Sequence, residues 1–337
     1  PSLIKQISHV GIMFLLFLLG LNLPPAKLLP LIQETTLVTG LSSIFFAVFA
    51  AGIAYAFGFN LTECLIVGAA MSFSSTIIGL KLLPTTVLHH KRTGEIIISI
   101  LLMQDVLAIL VLLLLQTAGQ GAMPWLEIIW RAAALPGLIA LVYLAERFIL
   151  IKLIARFDKI LEYIFLMAIA WCLGVAELAA QIGLSHEIGA FIAGVALATN
   201  PISLFIGESL KPLRDFFLII FFFSLGASFK LGMMLGVFLP AGLLALIVLI
   251  GKPLVFKGLL EKSGESPYRS KEIGARLGQI SEFSILIAVL ALDLHIIGEK
   301  ASYLIQVATL FTFIVSSYYI VMRYPSPIAI ADRLRRD

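Results

Sequence analysis

Asp105 makes the greatest demand on its surroundings. It is the twelfth of 22 residues in the apolar run 94–115, flanked by Met103, Val106 and Leu107. An ionised carboxylate at that depth in hydrocarbon is costly, so it must be protonated, paired with a cation, or solvated. Those three states form a working cycle. Desolvation favours the neutral acid and a bound cation favours the carboxylate, so a proton and a metal ion can compete for one site. A structural aspartate hydrogen-bonded to nearby backbone is the alternative. Gln104, next to it, offers a neutral amide oxygen suited to ion ligation or to a hydrogen bond between helices.

Two other polar clusters interrupt apolar runs. Ser72, Ser74, Ser75 and Thr76, followed by Gly79, lie within 61–83; Gly278, Gln279, Ser281, Glu282 and Ser284 lie within 277–294. Small residues let helices approach closely, which is the plain reading. The functional reading is a helix unwound near the membrane midplane, whose freed backbone groups line a cavity and ligate an ion. Lys252, in Gly251-Lys252-Pro253, either snorkels to the surface or neutralises Asp105 when the ion is gone, with Pro253 freeing a carbonyl beside it. Glu282 either ligates the ion or pairs with a basic residue such as Arg276. His186 and Glu187 fall at an outer interface, and His89 and His90 in a basic turn, where surface residence is the default.

The elements that position these groups follow from composition. Of 337 residues 60% are apolar or aromatic and only 13% charged, with a mean hydropathy of +1.06. One globule could not cover that much hydrocarbon with so little polar surface. The apolar residues fall in runs close to the ~20 needed to cross a bilayer as a helix, which excludes outer-membrane barrels and disulfide scaffolds. The reading is an all-α polytopic membrane protein.

Eleven runs can be counted: 4–21, 38–57, 61–83, 94–115, 126–144, 161–180, 188–199, 216–225, 239–260, 277–294 and 303–321. The short seventh and eighth runs are expected to extend into their flanks or to tilt. If all eleven cross, the loops on one side carry 18 Lys and Arg against 4 on the other. The basic side is then cytoplasmic, the chain starts outside and it ends inside. The net charge of +4 follows from this bias and calls for no nucleic-acid partner. Cys64 and Cys172 lie within runs and read as small buried hydrophobes, not as a metal or disulfide motif. Runs two to four and nine to eleven each have an interrupted middle member and are offset by seven, an odd number, so the two triplets have opposite topology. Inverted repeats with broken central helices are a common plan of secondary transporters.

These residues resemble the monovalent cation:proton antiporter-2 family, and within it the Kef-type potassium:proton antiporters. The carriers are Phe14 to Leu23, Ser74-Ser75-Thr76, Gln104-Asp105, Gly183-Leu184-Ser185 with Gly189 to Gly194, Phe221 to Gly226, and Gly278 to Phe283. The resemblance covers nearly the whole chain and implies a 13-span fold with inverted repeats and two interrupted crossing helices, of which 11 spans are visible and two N-terminal ones lie before Pro1. It implies a homodimer in the inner (cytoplasmic) membrane whose core slides past a dimerisation scaffold in an elevator motion. By analogy 1–37 and 161–230 are scaffold, 38–115 and 231–322 the two core repeats, 116–160 a linker helix and 323–337 a cytoplasmic linker.

Within the family the Gln-Asp pair resembles the potassium branch, whereas Asn-Asp or Asp-Asp marks sodium:proton exchangers. The cation and proton site is then Asp105 and Gln104 with Ser74, Ser75 and Thr76, and Lys252 and Glu282 are candidate charge partners. Potassium or sodium and the proton are substrates; no cofactor is implied in this chain. A single essential carboxylate implies one-for-one electroneutral exchange if Lys252 keeps its charge. The stretch Glu208 to Asp215 lacks the His-Ala-Leu-Glu pattern of glutathione-gated members, and a nucleotide-binding domain beyond Asp337 is implied by analogy alone. Two other classes compete. An intramembrane aspartyl protease would need Asp105 and Asp293 to face each other, but Asp293 ends its run without a Gly-x-Gly-Asp context. A channel-like potassium efflux pathway would need a continuous pore, and no filter-like Gly-Tyr-Gly run is present.

Overall fold

The computed structural model describes residues 10–11, 13–14, 16–18, 20–21, 25–83, 92–118, 125–156, 161–184, 186–227 and 231–326, and its regular elements are all helices. The chain divides into two compact units, residues 1–28 with 121–229 and residues 29–120 with 230–337. Five helices among the described residues are long and apolar enough to cross a membrane: Thr35–Ala56, Arg92–Leu112, Glu162–Gln181, Gly236–Lys262 and Glu299–Arg323.

α1 is Pro25–Ala56, α2 Leu61–Ser72, α3 Thr76–Lys81 and α4 Arg92–Ala118. α5, Trp125–Ala145, passes through a π-helical turn at Glu146–Leu150 into α6, Ile151–Arg156. α7 is Leu161–Gln181, α8 His186–Ala198 and α9 Ile202–Ala227. α10 is Leu231–Lys262, α11 Pro267–Arg276, α12 Glu282–Asp293 and α13 Glu299–Arg323.

The unit holding α5 to α9 is built round a core that includes Phe17, Leu18, Cys172, Ala176, Ala193 and Leu197. Its helices meet at small residues. A Cβ on Gly194 would fall 2.1 Å from the carbonyl oxygen of Phe17, so no larger residue fits that crossing. The run 216–225 is the second half of α9, which begins at Ile202 and continues through Pro212. The charged residues 208–215 lie inside this helix, where a hydropathy reading places a loop.

In the other unit the helix starts are written locally. Asn60 and Glu63 form a capping box at α2, Glu63 N–H to Asn60 Oδ1 at 2.9 Å and Asn60 N–H to Glu63 Oε2 at 3.1 Å. The other oxygen of Glu63 accepts the Gly298 N–H at 3.1 Å, which ties the start of α2 to the start of α13. Ser266 caps α11 with Pro267 at its first position, and Ser281 caps α12. α10 lies along α11 and α13, while α12 packs on α2, α4 and α13. Leu37, Ile44 and Val48 of α1 and Leu239, Leu246 and Leu254 of α10 are all more than half exposed, apolar surface that hydrocarbon covers and water does not.

The segment before residue 277 differs from the sequence expectation. Residues 267–276 are read there as part of a basic loop, whereas they form α11. A Cβ on Gly274 would lie 2.5 Å from the Pro253 carbonyl oxygen, so this polar helix is seated against α10 at its proline. Arg276, counted among the loop charges, is fully buried.

Candidate functional site

The run 61–83 is two helices in line. α2 ends at Ser72, Phe73 to Ser75 are non-helical, and α3 resumes at Thr76. Each break leaves backbone groups without intrahelical partners, and in a membrane these must be satisfied by protein. Here Gln104 reaches across from α4: its Oε1 accepts the Ser74 N–H at 2.9 Å and its Nε2 donates to the Ser72 carbonyl at 3.4 Å. Ser75 caps α3 by accepting the Ile78 N–H at 3.2 Å.

α11 and α12 form a second interrupted helix, broken over residues 277–281. Gln279 serves this break much as Gln104 serves the first. Its Nε2 donates to the carbonyls of Arg276 at 2.9 Å and Ser75 at 3.3 Å, and its Oε1 accepts from Ser316 Oγ at 3.0 Å. The Ile280 N–H donates to Thr312 Oγ1 at 3.0 Å, and Ser281 Oγ accepts the Phe283 N–H at 3.1 Å. The breaks are also joined directly. Ser74 Oγ donates to the Leu277 carbonyl at 2.9 Å, and Ser284 Oγ donates to the Ala70 carbonyl.

Lys252 lies where the two breaks meet. Its side chain is fully buried, and Nζ donates to the Phe73 carbonyl at 2.6 Å, the Gln279 carbonyl at 3.1 Å and Ser74 Oγ at 3.4 Å. The ring of Phe46 lies below it, 5.9 Å from Nζ to the centroid. Phe73 and Gln279 each follow the C-terminal end of a half-helix, where the backbone dipole is negative and suits a cation.

Acids occupy the opposite ends. Asp105, 1% exposed, accepts a forked hydrogen bond from Thr76 Oγ1, at 3.2 Å to Oδ1 and 3.1 Å to Oδ2, from the first residue of α3. Glu282, 5% exposed, is the first residue of α12 and lies within electrostatic reach of Asp105. Each carboxylate thus stands at the positive end of a half-helix. Four half-helix ends and three ionisable side chains make one buried polar cluster.

Several expectations are redirected by this geometry. Lys252 does not snorkel, and its donors go to the broken helices; no ion pair joins it to Asp105. Gln104 and Ser75 are engaged in holding the first break and its continuation, while Thr76 alone of the four hydroxyl residues touches Asp105. Arg276 does not pair with Glu282. Its guanidinium holds Glu272 Oε1 from Nε at 3.0 Å, and the carbonyls of Leu82 at 2.9 Å and Pro325 at 2.8 Å. In the other unit His186 lies 3.3 Å from Glu177 on an exposed face. The Glu187 side chain, His89 and His90 lie outside the described residues. No cluster of metal-ligating side chains occurs among the described residues.

The sequence reading passed over Thr312 and Ser316, which satisfy the second break from α13. A signal existed: Thr309, Thr312 and Ser316 recur at helical spacing inside an apolar span and are all buried.

The sodium/hydrogen exchanger transmembrane family pattern matches residues 2–322. Among curated proteins of Arabidopsis thaliana, K(+) efflux antiporter 4 is 29% identical over 345 residues, covering 98% of this chain and 57% of that protein. K(+) efflux antiporter 5 is also 29% identical over 345 residues, covering 98% of the chain and 60% of the relative. K(+) efflux antiporter 6 is 26% identical over 343 residues, with 98% and 57% covered. The chain therefore spans less than two thirds of the length of these relatives.

Proposed function

Because this chain belongs to the transmembrane sodium/hydrogen exchanger family, a family of membrane transporters and not of enzymes, we propose that it exchanges a monovalent cation, potassium in preference to sodium, for protons at Asp105. The observation that carries the reading is a carboxylate inside a membrane-crossing helix, nine-tenths and more buried, facing the start of an interrupted helix. Such a group is tolerable when neutral or when a cation replaces its proton, and intolerable when bare. The Thr76 hydroxyl is the first neutral oxygen beside it. The names of the Arabidopsis relatives and the Gln104-Asp105 pair favour potassium, while the family's name favours sodium and supplies the second reading.

Lys252 bears on the charge balance. Its Nζ donates to the carbonyls of both breaks, a placement that supports Lys252 keeping its charge while Asp105 trades its proton, and with it one cation against one proton and electroneutral exchange. The two compact units support a division into a moving core, residues 38–115 with 231–322, and a scaffold that includes 161–230. Two interrupted helices, each flanked by membrane-crossing ones, support a pair of inverted repeats within a 13-span fold. A homodimer working by an elevator motion, with its basic loops in the cytoplasm, completes the proposal.

The test is reconstitution. Proteoliposomes carrying an inward-acid gradient are challenged with potassium, sodium, lithium or rubidium while internal pH is followed by dye dequenching. The reading expects saturable alkalinisation that is strongest with potassium and insensitive to a valinomycin-free change of membrane potential. Large unitary currents independent of the pH gradient would replace it with a channel.

A further inference from the structure

A cavity of about 310 Å³ opens beside the start of α4, the end of α10 and the part of α1 that carries Thr35, with Thr35, Arg92, Ser263 and Glu265 among its lining residues. Thr35 begins a stripe on α1. Thr35, Thr39 and Ser43 recur every four residues and so share one helix face. Thr35 Oγ1 lies 2.6 Å from Ser99 Oγ of α4, and the Ser43 carbonyl accepts from Ser72 Oγ at 2.9 Å at the end of α2. Ser72 in turn offers its carbonyl to Gln104, the neighbour of Asp105. The stripe therefore runs from the cavity to the first break.

Two of its members are unusual. Thr39 is fully buried and Ser43 is 9% exposed, yet neither hydroxyl has a hydrogen-bond partner among the described residues. Several other buried hydroxyls in helices of this unit find a carbonyl, on their own helix, as Ser72 does to Gly68 at 3.0 Å and Thr309 to Ile305 at 2.8 Å, or on a neighbouring one, as Ser302 does to Ala288 at 3.0 Å; Ser270 of α11 shares the unpartnered state but lies outside the stripe. A buried hydroxyl left dry and unpaired costs about 1–3 kcal/mol, and two in succession, one and two turns along α1 from the Thr35 that lines the cavity, call for a small polar ligand. Water is the ligand of matching size and valence.

We propose that Thr39 and Ser43 hold a file of ordered water that joins the cavity to the first break and carries protons between the Arg92 and Glu265 end of the unit and Asp105. Each hydroxyl accepts one hydrogen bond and donates one, so as a proton leaves the Asp105 carboxyl each carrier takes up one proton and passes one on, and the file, its hydrogen bonds now reversed, reorients before the next transfer. The route lies wholly inside the unit formed by 29–120 and 230–337. It rests on the proton-exchanging role proposed above for Asp105.

The test uses the full chain in proteoliposomes with Thr39→Val and Ser43→Ala combined, near-isosteric changes that spare the packing. The expected result is a drop of about tenfold in maximal exchange with an unchanged half-saturating cation concentration, and a melting temperature no higher than the parent's. Exchange at the parental rate, or a clear rise in melting temperature from deleting two dry hydroxyls, overturns the water file. A second readout needs no transport activity. With Cys64 and Cys172 replaced by Ala, Thr39→Cys should be modified by hydroxyl radicals formed from bound water under X-ray irradiation, and Ala50→Cys on the same helix should not; an unmodified thiol at 39 overturns the proposal. If the parent shows no exchange at all, the function of Asp105 falls while this labelling still decides whether the file holds water.

Discussion

The Lys252 ammonium binds both interrupted helices at once, 2.6 Å from the Phe73 carbonyl and 3.1 Å from that of Gln279. It ties the two breaks together at the point where two helix C-terminal ends converge. Lys252→Met keeps the volume but strands two buried carbonyls, each worth about 1–3 kcal/mol. The variant should unfold at clearly lower temperature in detergent. A melting curve identical to the parent's would mean the breaks do not depend on this tether.

Among the described residues Thr76 is the one side chain that donates to Asp105. Hydrogen bonds to charged groups contribute about 1.5–3 kcal/mol, and every 1.4 kcal/mol is tenfold in affinity. Thr76→Val should therefore raise the half-saturating cation concentration by about tenfold, and Thr76→Ser should restore it. Equal kinetics for the Val and Ser variants would remove the hydroxyl from the site.

Arg276 closes the C-terminal end of the first broken helix by holding the Leu82 carbonyl, and it stacks on Tyr324 with 5.6 Å between the guanidinium carbon and the ring centroid. Removing one partner of a buried ion pair costs about 3–5 kcal/mol because the other is left uncompensated. Arg276→Leu should lose about that much through the stranded Glu272, and Arg276→Leu with Glu272→Leu should recover part of it. An Arg276→Leu protein as stable as the parent would show that these contacts carry no weight.

Glu265 lies in the turn between α10 and α11 and is clamped by Arg269 and by Arg92, the latter at 3.3 Å. Burial works against its ionisation, but the hydrogen bonds from Arg269 and Arg92 outweigh it and hold the carboxyl below the usual glutamate range. A depressed value means the clamp stabilises the fold above the ordinary glutamate pKa of about 4.3 and is lost as pH falls through the lower folded value. The difference in melting temperature between parent and Glu265→Gln should be full at neutral pH and vanish in acid. A difference that grows on acidification would reverse the sign.

What was legible in the sequence was depth and polarity. Asp105, the hydroxyl cluster 72–76 and the second cluster 278–284 stood out because polar groups in apolar runs are expensive wherever they end up. What each one touches was not legible. Lys252 meets Phe73 across 179 positions of chain and Gln279 across 27, and nothing local to Gly251-Lys252-Pro253 selects those carbonyls over Asp105. Arg276 misled for a related reason: its charge reads as a loop marker, whereas Gly274 against Pro253 and the cap at Ser266 make α11 a packed half-helix. The eighth apolar run does extend into its flank, as its shortness required, but Lys211 read as a loop charge, whereas it pairs with Glu208 within α9.

The central claim is that one carboxyl holds either a proton or a cation, and calorimetry on the purified protein tests it most directly. Potassium or sodium is titrated in buffers of differing ionisation enthalpy, which reports protons released per cation bound, for the parent and for Asp105→Asn. The account predicts release that rises toward one proton per cation as the pH is lowered and more sites start protonated, with no release from Asp105→Asn. Proton release that survives in Asp105→Asn, or cation binding to the parent with no release at any pH, would contradict it.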